Sequence, residues 1–405
     1  MPLVFVHGVN VRASPDFHKN VEIRDSFFAR FALDAVAPDA RKATILNPYW
    51  GDLGAKFAWN HAALPPGDFE SFGSEEELLA LLLRHSLGDQ APDRDTVLLD
   101  VARHSLADAI DLLWAVSAEQ VGDNKERAST LADLAVRAMN YAHHHPNPSW
   151  LASVTDNRQF LRELGDVLEE WQPQSDVPSE DATPEFETFG FSEAWNRIRE
   201  AASRVQSAAG RMTSRLFLSA VRPSGHRHTA RFLGDAFTYL NRRGSVDNPG
   251  PIVCLIMNQL KQARQQVHFG DPKLIVVGHS MGGNILYDIL SHFLPQVEPD
   301  FHVDAFVTVG SQVALFEELK LFAASDGSVP ADPQKDRVTK PTTVGHWLNI
   351  FDHNDVFSFA TEGVFEGTRD FSYSTGKGML MAHGAYFTLP SFHQRLAARL
   401  RSVLL

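Results

Sequence analysis

The chain opens on an uninterrupted apolar run, Leu3, Val4, Phe5 and Val6, which stops at His7 and Gly8. A strand buried on both faces carries such a run, because it has no solvent side for polar residues. Residues 16–37 then show helical spacing, with Phe17, Val21, Phe28 and Phe31 among the apolar positions, and Thr44, Ile45 and Leu46 make a second strand. From about 55 to 230 the period stays helical. Segments 75–87, 96–118, 127–143 and 157–171 each repeat apolar residues at helix spacing. Residues 172–189 are rich in Pro, Ser, Asp and Glu and predict an exposed loop. In the next helix Trp195, Ile198, Ala202, Val205, Ala209, Met212 and Leu216 alternate in steps of three and four. That narrow stripe is a packing seam, either within the chain or between two copies.

Strands and helices alternate again afterwards. Helices are expected at 232–241, 252–267, 284–293, 313–322 and 389–405, and strands at 273–277, 303–309 and 347–351. Residues 323–343 read as a loop. Alternation of this kind predicts an α/β fold with a mostly parallel sheet flanked by helices. The expected division is an α/β core of 1–54 and 231–405, interrupted by a mostly helical insertion, 55–230.

One motif carries chemistry. Gly278, His279, Ser280, Met281 and Gly282 form G-x-S-x-G between an apolar strand and a helix, with Gly283 beyond. A nucleophilic serine needs a tight strand-to-helix turn that pushes its hydroxyl outward, and small flanking residues leave room for it. The helix start also directs backbone amides and the positive dipole end toward the reacting group.

On these residues the chain resembles the α/β-hydrolase superfamily, closest in style to the lipase and esterase branch with its Gly-His-Ser-Met-Gly elbow. The resemblance covers 1–54 and 231–405. It implies a serine hydrolase acting on carboxylic esters through an acyl-enzyme on Ser280, with no cofactor. The oxyanion would be held by the backbone amides of Met281 and of Val9 after His7 and Gly8, with Asn10 the neighbouring alternative. The chain order Ser, acid, His directs the search beyond Ser280. Asp355, directly before Val356 at the end of the 347–351 strand, is the preferred acid and Asp352 the runner-up. His383, expected in a loop before the last helix, is preferred over His393 and His353 as the base. The same residues would serve a phospholipase, thioesterase, amidase or acyltransferase. A partner-binding module on a hydrolase scaffold is the alternative of another class.

Charge and composition change the picture only in part. A formal net charge of -13 over 405 residues argues against a general nucleic-acid binder. Segment 55–230 holds 16 Lys/Arg and 27 Asp/Glu. Yet 197–243 holds ten Arg against only Glu200 and Asp235. That stretch is either a solvated face paired with the acidic insertion or a surface for a membrane or an acidic protein partner. Five of the 7 tryptophans lie in the insertion, which suggests a cap with an apolar acyl pocket. Cys254 is the single cysteine and sits in an apolar stretch, as a small buried hydrophobe would. His143, His144 and His145 point in different directions on a helix and make a poor metal set. Gly376, Lys377 and Gly378 lack the remainder of a P-loop. No leader and no spanning segment precede the first strand, so a cytoplasmic location is expected.

Overall fold

A computed structural model describes residues 1–13, 15–37, 43–59, 62, 93–118, 124–171, 188–211, 225–267, 273–375 and 379–405. Its centre is a six-stranded sheet, with every pairing parallel. The strands are β1 (Pro2–Val6), β2 (Thr44–Leu46), β3 (Ile275–His279), β4 (Val303–Val309), β6 (Val344–Phe351) and β8 (Thr368–Ser372). The two-residue strands β5 (Val338–Thr339) and β7 (Phe365–Glu366) pair apart from it. The order across the sheet is β2-β1-β3-β4-β6-β8.

Both faces of the sheet are covered, which is why its strands read as continuous apolar runs. Leu3, Phe5, Ile275, Val277, Val307 and Ile350 share one core with Phe28, Tyr386, Phe392 and Leu396. Phe28 comes from the wide turn Phe28–Leu33 that continues the helical stretch Pro15–Phe27, Tyr386 from the short turn Tyr386–Thr388, and Phe392 and Leu396 from helix Pro390–Leu404. Val4, Val6, Val276, Phe306 and Trp347 face the other way, toward helices Gly225–Arg242, Pro251–Gln265 and Met281–Asp288.

The described helices of the insertion are Val97–His104, Leu106–Ala118, Lys125–His144, Asn157–Glu170 and Thr188–Arg211. Their shared core also takes in Ile23, Phe27, Phe31 and Ala397. They therefore form a third layer against helices Pro15–Phe27 and Pro390–Leu404, beside the sheet. The boundary expected at residue 230 falls inside helix Gly225–Arg242. Trp195, Ile198, Ala202 and Val205 are buried in this layer, so the described part of the stripe is a seam within the chain. Met212, Leu216, the 75–87 helix, the 172–187 part of the expected loop, and Gly376 to Gly378 lie outside the described residues.

Two expectations need correction, and one strand was not anticipated. The 96–118 segment is two helices, because Ser105 adopts an extended backbone (φ -158°, ψ 116°) and its Oγ accepts from the Asp108 amide at 3.2 Å. That side-chain bond offers the backbone an alternative to a continuous helix. The strand read at 347–351 begins three residues earlier, at Val344. The edge strand β8, Thr-Arg-Asp-Phe-Ser, had no sequence signal at all. It has no apolar run because only Thr368 of its five residues is buried, and besides its backbone register with β6 it is tied by Asn349 Nδ2, which donates to Asp370 Oδ1 at 2.8 Å.

Among the described residues no helix is long and apolar enough to cross a membrane. No group of three or more His, Cys, Asp or Glu there is arranged to hold a metal ion. Cys254 is half-buried, and its Sγ donates to the Pro249 carbonyl at 3.2 Å.

Candidate active site

The chain leaves β1 for β2 on one side and returns to β3 on the other. At such a reversal two strand ends part and leave a crevice at their carboxyl edge, the usual ligand site of open α/β sheets. His7 and Gly8 follow β1 at this point, and Ser280 follows β3.

Ser280 stands at φ 53°, ψ -128°, between the last residue of β3 and the first of helix Met281–Asp288. A non-glycine residue with positive φ is strained and persists only where its surroundings over-determine it. Here its amide donates to the Val309 carbonyl at 2.9 Å, and its own carbonyl accepts from the Gly283 amide at 3.0 Å and from Ser311 Oγ at 2.8 Å. The flanking glycines are required by space. A Cβ on Gly282 would lie 2.1 Å from the Val6 carbonyl oxygen, and one on Gly278 would lie 2.6 Å from Gly283 Cα.

The loop after β1 rests on the elbow, for a Cβ on Gly8 would lie 2.7 Å from Ser280 Cβ. Further bonds hold this loop. His7 Nδ1 donates to the Gly8 carbonyl at 2.8 Å, and its Nε2 accepts the Trp50 amide at 3.1 Å. The Trp50 indole stacks on the imidazole with centroids 5.1 Å apart and donates to the His7 carbonyl at 2.8 Å. Burial holds the His7 pKa down to about 4, so the ring stays neutral and its acceptor nitrogen is preserved. On the far side Asp235, wholly buried, accepts the Asn10 amide at 2.8 Å, the Ala55 amide at 2.7 Å and the Arg12 guanidinium at 2.8 Å. Sequence reasoning missed Asp235, which carries no local motif. The Asn10 amide is thereby used. Among the described residues no acceptor takes the amides of Val9 or Met281, and Met281 opens a helix whose first amides have no partner inside it.

The acid comes from the turn after β6 and the histidine from the short helix that follows β8. Asp355 follows β6, is 2 % exposed, and meets His383 Nδ1 with its two oxygens at 2.9 and 3.0 Å. Its carboxylate also accepts from the Phe357 amide at 2.9 Å and from the Tyr386 hydroxyl at 2.9 Å. Burial and the Asp355 charge both push the Tyr386 pKa upward, which keeps that hydroxyl protonated and donating. Asp352 turns elsewhere: it accepts from the Asn354 amide at 2.8 Å and from the Thr375 amide and hydroxyl at 2.7 and 2.6 Å. His383 lies in the short helix Met379–Ala385, where the sequence reading expected a loop. His393 is buried among Phe27, Phe28 and Phe392, with Nε2 on the Phe387 carbonyl at 3.0 Å.

The elbow and this pair adjoin. A Cβ on Gly310, which follows the Val309 that holds Ser280, would lie 3.0 Å from Asp355 Oδ2 and 3.5 Å from His383 Nδ1. The His279 imidazole, one residue before Ser280, contacts the His383 ring with centroids 4.9 Å apart. Ser280 Oγ and His383 Nε2 are both buried, and neither has a hydrogen-bond partner. A buried polar atom left unpaired costs about 1–3 kcal/mol, so two such atoms in one place call for an explanation.

Three described arginines of 197–243 are engaged within the chain, while Arg199 and Arg242 are exposed. Arg197 pairs with Glu193 at 2.8 Å, Arg243 with Asp288 at 3.0 Å, and Arg231 donates to Asn10 Oδ1 at 3.0 Å. Comparisons of this chain with protein-family models, with curated proteins and with solved structures gave no match.

Proposed function

We propose that this chain is a serine hydrolase of the α/β-hydrolase type that cleaves carboxylic esters through an acyl-enzyme on Ser280. One observation carries the reading: a strained serine at the strand-order reversal adjoins His383 paired with the buried Asp355, and the two atoms that must react, Ser280 Oγ and His383 Nε2, are both buried with no hydrogen-bond partner. Other buried atoms, such as His393 Nδ1 and Asn284 Oδ1, are also unpaired, and what sets these two apart is their place beside the strained turn and the Asp355 carboxylate.

The chemistry follows from this arrangement. With Nδ1–H donated to Asp355, His383 presents an unprotonated Nε2 and takes the Ser280 proton as Oγ bonds to the ester carbonyl carbon. The carbonyl oxygen becomes an anion, which the amides of Val9 and Met281 hold. The carbon–oxygen bond to the alcohol then breaks, and His383 returns its proton to the departing oxygen. Water, deprotonated by His383, attacks the acyl-enzyme in the same way, releasing the acid and free Ser280. Asp355 orients His383 and stabilises its cationic form.

A fluorophosphonate probe and a p-nitrophenyl ester test the reading together. The wild-type protein should be labelled and should hydrolyse the ester, and Ser280→Ala should do neither. A folded wild-type protein that takes no label, or a Ser280→Ala protein that still does, would sink it.

A further inference from the structure

Acyl transfer at Ser280, on which this inference rests, dictates where the alcohol must leave. His383 Nε2 protonates the departing oxygen, so the substituent on that oxygen lies beside the His383 ring. Two half-buried aromatic side chains stand there. The Phe357 ring meets His383 edge to face, with centroids 5.2 Å apart, and Phe232 stacks on Phe357 at 4.6 Å.

Phe232 is brought there by helix Gly225–Arg242, and its neighbour shows how that helix sits. Arg231 donates to Asn10 Oδ1 at 3.0 Å, on the loop that follows β1. Consecutive helical residues diverge by about 100°, so this one turn spans from the oxyanion side of the crevice to the histidine side. Phe357 therefore stands against the His383 ring that returns the proton to the alcohol, with Phe232 stacked behind it.

We infer that Phe232 and Phe357 form a leaving-group subsite, selecting esters whose alcohol carries an apolar aryl or alkyl group. A flat ring laid against this pair is removed from water and makes aromatic contact. A small or polar alcohol gains neither and strands the aromatic surface in water.

The test compares two ester series in the full-length protein. The first keeps the acetyl group and varies the alcohol through ethyl, glyceryl, hexyl and benzyl. The second keeps ethyl alcohol and varies the acyl chain from acetyl to hexanoyl. Wild type should prefer benzyl and hexyl acetate over ethyl and glyceryl acetate in kcat/KM, by roughly tenfold or more. Phe232→Ala should lower the benzyl-to-ethyl ratio about tenfold, and Phe357→Leu should lower it too. Phe232 is the sharper probe, because Phe357 is close enough to the His383 ring to influence its charge as well. The ratio is internal to each variant, so partial loss of folded protein cancels. A labelled wild type with no alcohol preference would overturn the inference alone. So would an unchanged ratio in both variants, or a shift confined to the acyl series. Failure of the wild type to label at Ser280 would instead remove the proposed function, and this inference with it.

Discussion

The imidazole of His279 donates from Nε2 to the backbone carbonyl of His383, at 2.7 Å. A carbonyl only accepts, so Nε2 carries the proton. Desolvation, aided by the neighbouring His383, holds the His279 pKa down to about 3, so the ring stays a neutral donor across the working pH range. His279 is bonded directly to Ser280 in the chain. Its side chain thus sets the position of the proposed base relative to the proposed nucleophile through a single residue.

That clamp predicts a kinetic signature. His279→Phe keeps an aromatic ring but loses the donor, and kcat should fall on the order of 100-fold, since small misplacements of reacting groups cost about this much. KM should change little. His279→Gln, which keeps an N–H at similar reach, should recover much of the loss. Steady-state kinetics of the three proteins decide the point: wild-type kcat in His279→Phe would show that the bond positions nothing.

Asp355 and Asp352 make opposite demands. Asp355→Asn should lower kcat on the order of 10⁴-fold, because an amide at His383 Nδ1 favours the wrong tautomer. Tm should move less. Asp352→Asn breaks contacts with Thr375 and Asn354, away from His383, so its main effect should be on Tm. Paired rate and melting measurements check both, and equal rate losses would reverse the assignment.

Stability should decline in mild acid. His7 and His393 have folded pKa values lowered by burial, to about 4 and about 3, from an ordinary value of 6.5. Between those limits the unfolded chain binds protons that the folded chain refuses. The stability is therefore present above pH 6.5 and is lost as pH falls toward 4. At about 1.4 kcal/mol per pH unit, each group costs on the order of 2 kcal/mol by pH 5. Asp111, pushed up to about 7 by desolvation, binds its proton in the folded state and opposes this trend with one group. Denaturant midpoints at pH 7.5, 6 and 5 should fall in that order, and His393→Phe should flatten the slope. A slope in His393→Phe as steep as in the wild type would show that this ring is protonated in the folded protein.

Much of the fold was legible because burial on both faces leaves a plain local trace. The apolar runs at 3–6 and 303–309 and the triplet at 44–46 became strands where expected. Ser280 was legible for a different reason: a positive-φ turn under a helix start tolerates few residues, and the two glycines around it write that constraint into consecutive positions. The polar edge strand β8 left no such trace, since it pairs with β6 through its backbone and buries only Thr368 among its side chains.

What sequence determined, then, was whatever neighbouring residues impose on one another: the strand and helix periods, and the elbow. It also narrowed the acid to Asp355 or Asp352, two residues of one turn. Only the tertiary structure shows that His383, 28 residues away, meets the Asp355 carboxylate and not that of Asp352. It decided equally that Asp235 holds the loop after β1, that the insertion packs beside the sheet, and that Phe232 arrives next to Phe357. Each of these is a contact between distant parts of the chain. Such contacts are chosen by how whole layers pack, and no local pattern of residues encodes them.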